Sequence, residues 1–351
     1  MSTYSFEMYP PRSAAAELSL YETIDRLVAT GPEFISVTYG ASGSTREASL
    51  GVLRHLLTTN VKPMAHLTCV GWTYEDATSV IREFLDVGLT SFLAVRGDPP
   101  EGTEEGVDFL GDLKSAGELV QLIHRVQHER EPYSQLDVPG FPGAKRISSG
   151  EQVTIGVAAF PNGHPRSRSV QQDLDTLLAK EAAGANLAIS QLFFHAEEYL
   201  GFVSLAREAG VTMRILPGIM PIVSPARLAR MIELMEEKMP ENLYARLVAA
   251  ETPERQYAVG IEHATELATE LLAGGAPGLH LYTYNKHEAV IDVLDAVGIT
   301  KSTSNKATQP RSTHEHVRIS DRHDPGLPPN RPSTRTEEGR RGLLGREDLG
   351  R

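Results

Sequence analysis

The sequence predicts one parallel α/β barrel of the (β/α)8, or TIM, type followed by a polar, disordered C-terminal tail. Three observations carry that reading. Eight short segments with strand character alternate with helical patterns over residues 4–297, and the count favours a closed barrel over an open sheet. Gly31, Gly88, Gly184 and Gly210 stand where four of the helical patterns stop, as helix C-termini commonly require. Several segments finish on chemically loaded residues just where a buried strand would run out. In such a barrel the carboxyl ends of the strands form the rim that carries the active site.

The first strand, 4–9, contains Glu7 and leads to a helix at 13–30. The second, 34–40, ends in Thr38-Tyr39-Gly40 and turns through Gly and Ser into a helix at 44–59. Strands at 63–69 and 91–97 end in His66-Leu-Thr-Cys69 and Arg96-Gly97-Asp98, with helices at 73–88 and 115–129. In 73–88, Ala77, Val80, Ile81, Phe84 and Leu85 recur at helical spacing while Glu75, Arg82 and Glu83 take another face, the pattern of an amphipathic barrel helix. Residues 130–152, rich in Pro and Gly, read as an irregular loop on the face opposite the active site, decorative or serving an interface. Strands at 153–160 and 187–193 lead through Phe160 and Gln191 into helices at 168–184 and 195–209. A strand at 214–220, helices at 224–238 and 253–274, a strand at 278–284 and a helix at 286–297 complete the series. From Ser302 onward Pro, Arg, Ser, Thr and Gly dominate, a composition that does not repay the entropy of ordering. The expected domains are a catalytic barrel at 1–300 and a tail at 301–351.

Composition narrows the class of function. The formal net charge is −12, and residues 302–351 hold 10 Lys+Arg against 7 Asp+Glu, leaving about −15 on the rest. An acidic body argues against nucleic acid as a partner but tolerates a small anion held by local cations. No apolar run approaches a membrane span, and the first residues lack the basic and apolar regions of a secretion signal. Cys69 is the only cysteine, which excludes an intrachain disulfide or a multi-thiolate metal site. A reducing, cytoplasmic setting and small-molecule partners are expected, and a homo-oligomer is compatible with the chain.

Glu7, flanked by Phe6 and Met8, is either a carboxylate satisfied by its neighbours or a general acid whose pKa is raised by apolar surroundings. Its place on the first strand favours the acid. Arg96-Gly97-Asp98-Pro-Pro100 offers a phosphate partner, a bare backbone for a flat ligand and an acceptor for a heterocycle; the plain alternative is a proline-stiffened turn with an internal Arg/Asp pair. A lone histidine such as His66 or His164 is more often structural than catalytic. No His-x-x-x-His or His/Cys cluster suggests a metal, and Ser36 and Ser42 lack the setting of an activated nucleophile. The Gly/Ser turn after Thr38 opens a helix and suits an anion.

Read together, the strings resemble the methylenetetrahydrofolate reductase family in order and spacing over about residues 4–298. They are Phe6-Glu-Met-Tyr-Pro-Pro-Arg12, Val37-Thr-Tyr-Gly-Ala-Ser-Gly-Ser-Thr-Arg46, His66-Leu-Thr-Cys69, Ala94-Val-Arg-Gly-Asp-Pro-Pro100, Ile155-Gly-Val-Ala-Ala-Phe-Pro-Asn-Gly-His-Pro165, Ala183-Gly-Ala-Asn186, Gln191-Leu-Phe-Phe194, Pro217-Gly-Ile-Met-Pro221 and Tyr282-Thr-Tyr-Asn285. The resemblance implies reduction of 5,10-methylenetetrahydrofolate to 5-methyltetrahydrofolate by NADH or NADPH, normally through FAD, in one-carbon metabolism and methionine supply. Relatives without an extra domain tend to use NADH. By resemblance, Glu7 is the acid that protonates N10 of the folate, and Asp98 lies between flavin and pterin, tuning hydride transfer. Gln191 and Lys286 bind folate. Thr38, His66, Arg96, Gly97, Asp98, Ala116, Phe160, His164, Asp173 and Lys180 match flavin-contact positions.

The chain also departs from the family pattern. Ser115 stands where a flavin-contacting tyrosine is usual, Phe160 where a tyrosine is common, Arg166 replaces an acidic residue, and Lys286 replaces an arginine. Leu247 falls near a phenylalanine that packs on nicotinamide or folate. These departures leave open a flavin-free variant passing hydride directly from nicotinamide to folate. Two other readings stand beside it: a barrel that binds folate without turning it over, and another flavin barrel such as an amino-acid dehydrogenase. Retention of Glu7 and Asp98 argues against the first, and Arg96-Gly-Asp-Pro-Pro100 with Gln191-Leu-Phe-Phe194 against the second.

Overall fold

A computed structural model of the chain describes residues 2–11, 13–38, 46–100, 102–104, 107–130, 134–137, 145–148 and 153–300. The tail expected at 301–351 lies outside the described residues, as does the Gly/Ser turn at 39–45.

Among the described residues nine parallel strands make one sheet: β1 (Thr3–Met8), β2 (Phe34–Val37), β3 (Lys62–Thr68), β4 (Ser91–Val95), β7 (Thr154–Ala159), β8 (Leu187–Ser190), β9 (Arg214–Leu216), β10 (Gly218–Ile219) and β11 (Gly278–Tyr282). Their order is β10-β11-β1-β2-β3-β4-β7-β8-β9. The strand expected at 214–220 is thus two strands. Pro217 has no N–H to give a ladder, so the chain changes partner there: β9 pairs with β8 and β10 with β11. The Pro217 carbonyl still accepts from the His280 amide at 2.9 Å, and the barrel closes through this broken strand. The segment expected as an irregular loop at 130–152 contains an antiparallel pair, β5 (Ser134–Asp137) with β6 (Lys145–Ser148).

Helices α1 (Ala14–Thr30), α2 (Arg46–Leu57), α3 (Tyr74–Asp86), α4 (Ala116–Arg130), α5 (Val170–Ala182), α6 (Ala196–Glu208), α7 (Pro225–Met235), α9 (Pro253–Ala273) and α10 (Glu288–Val297) lie where the periodicity puts them. Ser13, Thr73, Ser169, Ser224 and Thr252 cap five of them through side-chain oxygens, satisfying amides that the helix leaves unpaired. One further helix, α8 (Glu241–Ala249), has no counterpart in the sequence reading. It is short and buries Leu243 and Leu247, a single i,i+4 pair too brief to register as a period.

The two-residue alternation of the strands sorts their side chains. Phe6, Met8, Ile35, Val37, Ala65 and Leu67 face the helices in the main core, while Phe34, Met64, Leu93, Leu187, Ile189 and Leu216 form a separate cluster. The second set fills the barrel axis. A third cluster, Leu192, Phe194, Ile222, Leu228, Met231, Leu243 and Leu247, lies beneath α7 and α8.

His263 on α9 has no hydrogen-bond partner for its buried Nε2. Burial, Arg246 and His195 hold its pKa down to about 4. The unfolded chain takes up that proton near the ordinary value of about 6.5. Stability is therefore complete above pH 6.5 and declines as pH falls from 6.5 towards 4, by up to about 3 kcal/mol from this group. Thermal melts between pH 7 and 4 should show a smaller loss in Tm for His263→Gln than for the parent. Parallel losses would assign the acid sensitivity elsewhere.

Candidate active site

The expected site residues gather at the carboxyl ends of the strands. Glu7 lies near the end of β1, Thr38 follows β2, His66 is on β3, Arg96-Gly97-Asp98 follow β4, Phe160 follows β7 and Gln191 follows β8. Ala116 opens α4, and Asp173 lies in the first turn of α5. Lys286 follows β11 and is exposed on the rim.

Glu7 is the centre of a polar cluster inside the barrel mouth. Its Oε2 stands 3.5 Å from His66 Nε2 and 3.6 Å from His280 Nε2, and its side chain keeps 21% exposure. His280, fully buried, shares a 2.8 Å hydrogen bond through Nδ1 with Ser5 Oγ. Ser5 and Glu7 point the same way because they are two residues apart on β1, as are His280 and Tyr282 on β11. Register pairs Glu7 with Tyr282. The Tyr282 hydroxyl donates to the Ser190 carbonyl at 2.8 Å, and burial together with the Glu7 charge pushes its pKa well up.

The electrostatics reverse one expectation. Burial does push the Glu7 carboxyl upward, but His66, His280 and a hydrogen bond from Ser36 outweigh it and hold the pKa below the usual carboxylate value. Apolar surroundings are what Phe6 and Met8 suggest in sequence, yet both turn outward to the helices. Inside the mouth the neighbours are imidazoles. Burial lowers the His66 pKa despite the attraction of Glu7. The cluster thus rests as a carboxylate beside a predominantly neutral His66.

A second group of cations lies across the rim. Lys180 Nζ donates to the Ala158 carbonyl at 2.8 Å, and burial brings its pKa down to about 8 with Asp173 opposing. His164 packs edge-on against Phe160, and its amide donates to Asp173 Oδ2 at 3.3 Å. Its pKa is lowered by burial and, against the pull of Asp173, by Arg166, Lys180 and Arg96. Arg96 and Arg166 both lie over the Phe109 ring, at 5.1 and 5.9 Å from its centroid. Gly97 has φ +85°, and a Cβ there would meet Val70 Cγ2 at 2.5 Å, so no other residue fits this turn unstrained.

The structure leaves two of the expected residues less engaged. Asp98 and Gln191 are exposed, the Gln191 side chain accepting from the neighbouring Leu192 amide at 2.9 Å. Leu247, which falls near a ligand-packing phenylalanine of the family pattern, is fully buried on the inner face of α8. The sequence reading missed Ser5 and His280, weighed Ser36 only as a nucleophile, and met Arg166 only as a departure from the family pattern. His280 had a usable signal: Leu279-His-Leu-Tyr282 alternates apolar and polar, which aims His280 and Tyr282 into the barrel. Among the described residues no group of three or more His, Cys, Asp or Glu is arranged to hold a metal ion, and no helix is long and apolar enough to cross a membrane.

Comparison with known proteins identifies the family. The family model for methylenetetrahydrofolate reductase matches residues 1–298. The chain is 33% identical over 309 residues to methylenetetrahydrofolate reductase (NADH) 1 of Arabidopsis thaliana, covering 85% of this chain and 48% of that protein. It is 30% identical over 297 residues to 5,10-methylenetetrahydrofolate reductase of Salmonella typhimurium, covering 84% of this chain and 90% of the relative. It therefore spans about half the length of the plant relatives it matches. An uncharacterized protein from Clostridium thermocellum that binds two copies of 5-methyl-5,6,7,8-tetrahydrofolic acid shares the fold, with a TM-score of 0.53 and 13% identity over 84% of this chain and 93% of that one.

Proposed function

The chain belongs to the methylenetetrahydrofolate reductase family, and on that premise we propose that it reduces 5,10-methylenetetrahydrofolate to 5-methyltetrahydrofolate with NADH or NADPH. The observation that carries this reading is Glu7, a carboxyl at the barrel mouth with two imidazoles at 3.5 and 3.6 Å. We place the activity in the cytoplasm, and the catalytic unit at residues 1–300.

The residues present suit FAD. Thr38 Oγ1 and His66 Nε2 are buried without a hydrogen-bond partner, and Gly97 turns the chain with positive φ at the same rim. Arg96, Arg166 and Lys180 supply positive charge for a diphosphate, with the His164 ring as a further hydrogen-bonding group, while Ala116 and Asp173 frame the same side. Bound there, FAD would accept hydride from the nicotinamide and deliver it to the folate. The substitutions at Ser115 and Phe160 remove two tyrosines and leave these groups in place.

Glu7 acts on the folate's five-membered ring by protonating N10, which opens the ring to the reactive iminium. At rest the carboxyl is ionised, so it must gain its proton in the occupied site. A flat ligand over the rim strips water from the carboxyl, and that shifts its pKa upward. His66 Nε2, 3.5 Å from Oε2, can take up a proton from solvent and pass it to that oxygen, and Ser5 fixes the His280 ring through Nδ1. Asp98 stands at the pterin edge as an acceptor for its N–H groups, and Gln191 and Lys286 hold the rest of the folate. Asp98→Asn is expected to raise the folate KM about tenfold with the same Tm; an unchanged KM would remove Asp98 from the site.

One cuvette tests the function. The purified protein is scanned from about 300 to 550 nm, then given NADH without oxygen, then methylenetetrahydrofolate. A flavin spectrum that bleaches and returns supports the flavin route, and a colourless protein that oxidises NADH only with folate supports direct transfer. Absence of NADH oxidation, with or without added FAD, would overturn the reductase reading.

A further inference from the structure

Two residues before Glu7, β1 carries a second inward polar side chain, Ser5, whose register partner on β11 is His280. Both are wholly buried. The imidazole stacks on Phe34 at 5.8 Å between centroids and meets Tyr282 edge-on at 5.3 Å, so its two nitrogens have little else to face than polar groups of the cluster. Nδ1 lies 2.8 Å from Ser5 Oγ. Among the described residues Nε2 has no hydrogen-bond partner, and it faces Glu7 Oε2 at 3.6 Å. A neutral imidazole carries one N–H and one lone pair, and the partner of one nitrogen decides what the other presents. With the proton on Nδ1, the Nε2 lone pair would confront an ionised carboxylate away from water, and the Ser5 hydroxyl would turn to the Leu279 carbonyl at 3.4 Å. With the proton on Nε2, an N–H faces the carboxylate and Ser5 donates to Nδ1 over the shorter distance. Only the second arrangement gives every group a complement.

We infer that Ser5 is a positioning residue for the acid: its hydroxyl holds His280 as the Nε2–H tautomer, and that N–H faces the charge left on Glu7 once N10 has its proton. The inference rests on the acid role given to Glu7 above. In the step itself the O–H bond of Glu7 breaks as the N10–H bond forms, the carboxylate keeps the electron pair, and His280 neither gains nor loses a proton. An N–H beside the carboxyl interacts more strongly with the ion than with the acid, so it favours the transfer rather than the resting proton. Ser5, two bonds removed from the chemistry, therefore sets how strong an acid Glu7 is. The other groups that face the carboxyl are accounted for: His66 on β3 stands 3.5 Å from Oε2, Ser36 on β2 gives it a hydrogen bond, and the Tyr282 hydroxyl on β11 is committed to the Ser190 carbonyl. None of them can replace Ser5 at Nδ1.

Two measurements on the full-length protein test this. Long-range proton–nitrogen correlation spectra of the parent, labelled with nitrogen-15 histidine, read the tautomer directly, the His280 signals being those lost in His280→Gln. Near neutral pH His280 should carry its proton on Nε2, and Ser5→Ala should move it towards Nδ1. The second measurement is the pH profile of the folate half-reaction by stopped flow. In Ser5→Ala the carboxylate loses its facing N–H, so Glu7 keeps its proton to higher pH and gives it up less readily. The limb on which the rate falls with rising pH should move up by about one pH unit, and the plateau below it should drop about tenfold. A merely loosened barrel would lower the plateau and leave the limb in place. That result, or an Nδ1–H or doubly protonated His280 in the parent, would overturn the inference and leave the reductase reading standing. A parent that reduces no folate at any pH would remove both.

Discussion

Glu7→Gln is expected to lower folate reduction by ~10²–10⁴-fold while oxidation of NADH by an artificial quinone acceptor stays near the parent rate. The substitution keeps the shape of the side chain and its place between His66 and His280, and removes only the proton that N10 needs. The two half-reactions should therefore separate, because hydride leaving the nicotinamide needs no acid at this position. Stopped-flow measurement of each half-reaction reads the separation directly. If both slow to the same degree, Glu7 holds the site together and is not the acid. The variant also loses a negative charge that favours the protonated form of His66, so any residual folate activity should fade at lower pH than in the parent.

Gly218→Ala is expected to be strongly destabilising, costing about 3 kcal/mol and lowering Tm by roughly 6 °C or more. An added Cβ at Gly218 would lie 2.3 Å from the Ser190 carbonyl oxygen and 2.7 Å from Cε2 of Tyr282. Neither neighbour can yield cheaply. The Ser190 carbonyl accepts the Tyr282 hydroxyl, and Ser190 Oγ accepts the Gly218 amide at 2.8 Å. The methyl group would therefore strike where the broken strand closes the barrel and beside the register partner of Glu7. Gly201→Ala is the control. On the exposed face of α6 a Cβ there meets nothing within 4 Å, and the change should stabilise by about 0.5–1 kcal/mol. Calorimetric melts that fail to separate the two variants would show that this closure tolerates a methyl group.

The barrel was legible because its information is local. Alternation marks each strand, and the amphipathic stripe of α3 and the glycine after it mark a helix and its end. The rim followed from polar residues at the strand ends, and the positions of Glu7, His66 and Arg96-Gly97-Asp98 are as that pattern requires. The division at Pro217 was also written in the chain, since a proline inside a strand cannot serve a ladder on both sides. What the sequence hid is tertiary. Glu7 looked apolar in its surroundings because Phe6 and Met8 are its neighbours in the chain, but its neighbours in space come from β3 and β11. The direction of its pKa depends on those partners, and nothing within a few residues of Glu7 reports them. The hydrogen bond between Ser5 and His280 is hidden for the same reason, and α8 because nine residues hold too few turns to display a period.

The seam between β1 and β11 also sets a timetable. Five register pairs, from Thr3↔Gly278 to Glu7↔Tyr282, join opposite ends of the barrel sequence. During synthesis β1 is made first and must wait for almost the whole barrel before its neighbour emerges. Until then β1 and β9 each present backbone edges with no partner, the kind of surface that recruits strands from other chains. Contacts this distant along the chain also form slowly, because the loop must close before they return any energy. A ribosome-bound chain ending before Gly278 should therefore be rich in helix and strand yet sticky and readily cut by protease. Release of the last stretch through Tyr282 should convert it to a protected barrel in a single late step.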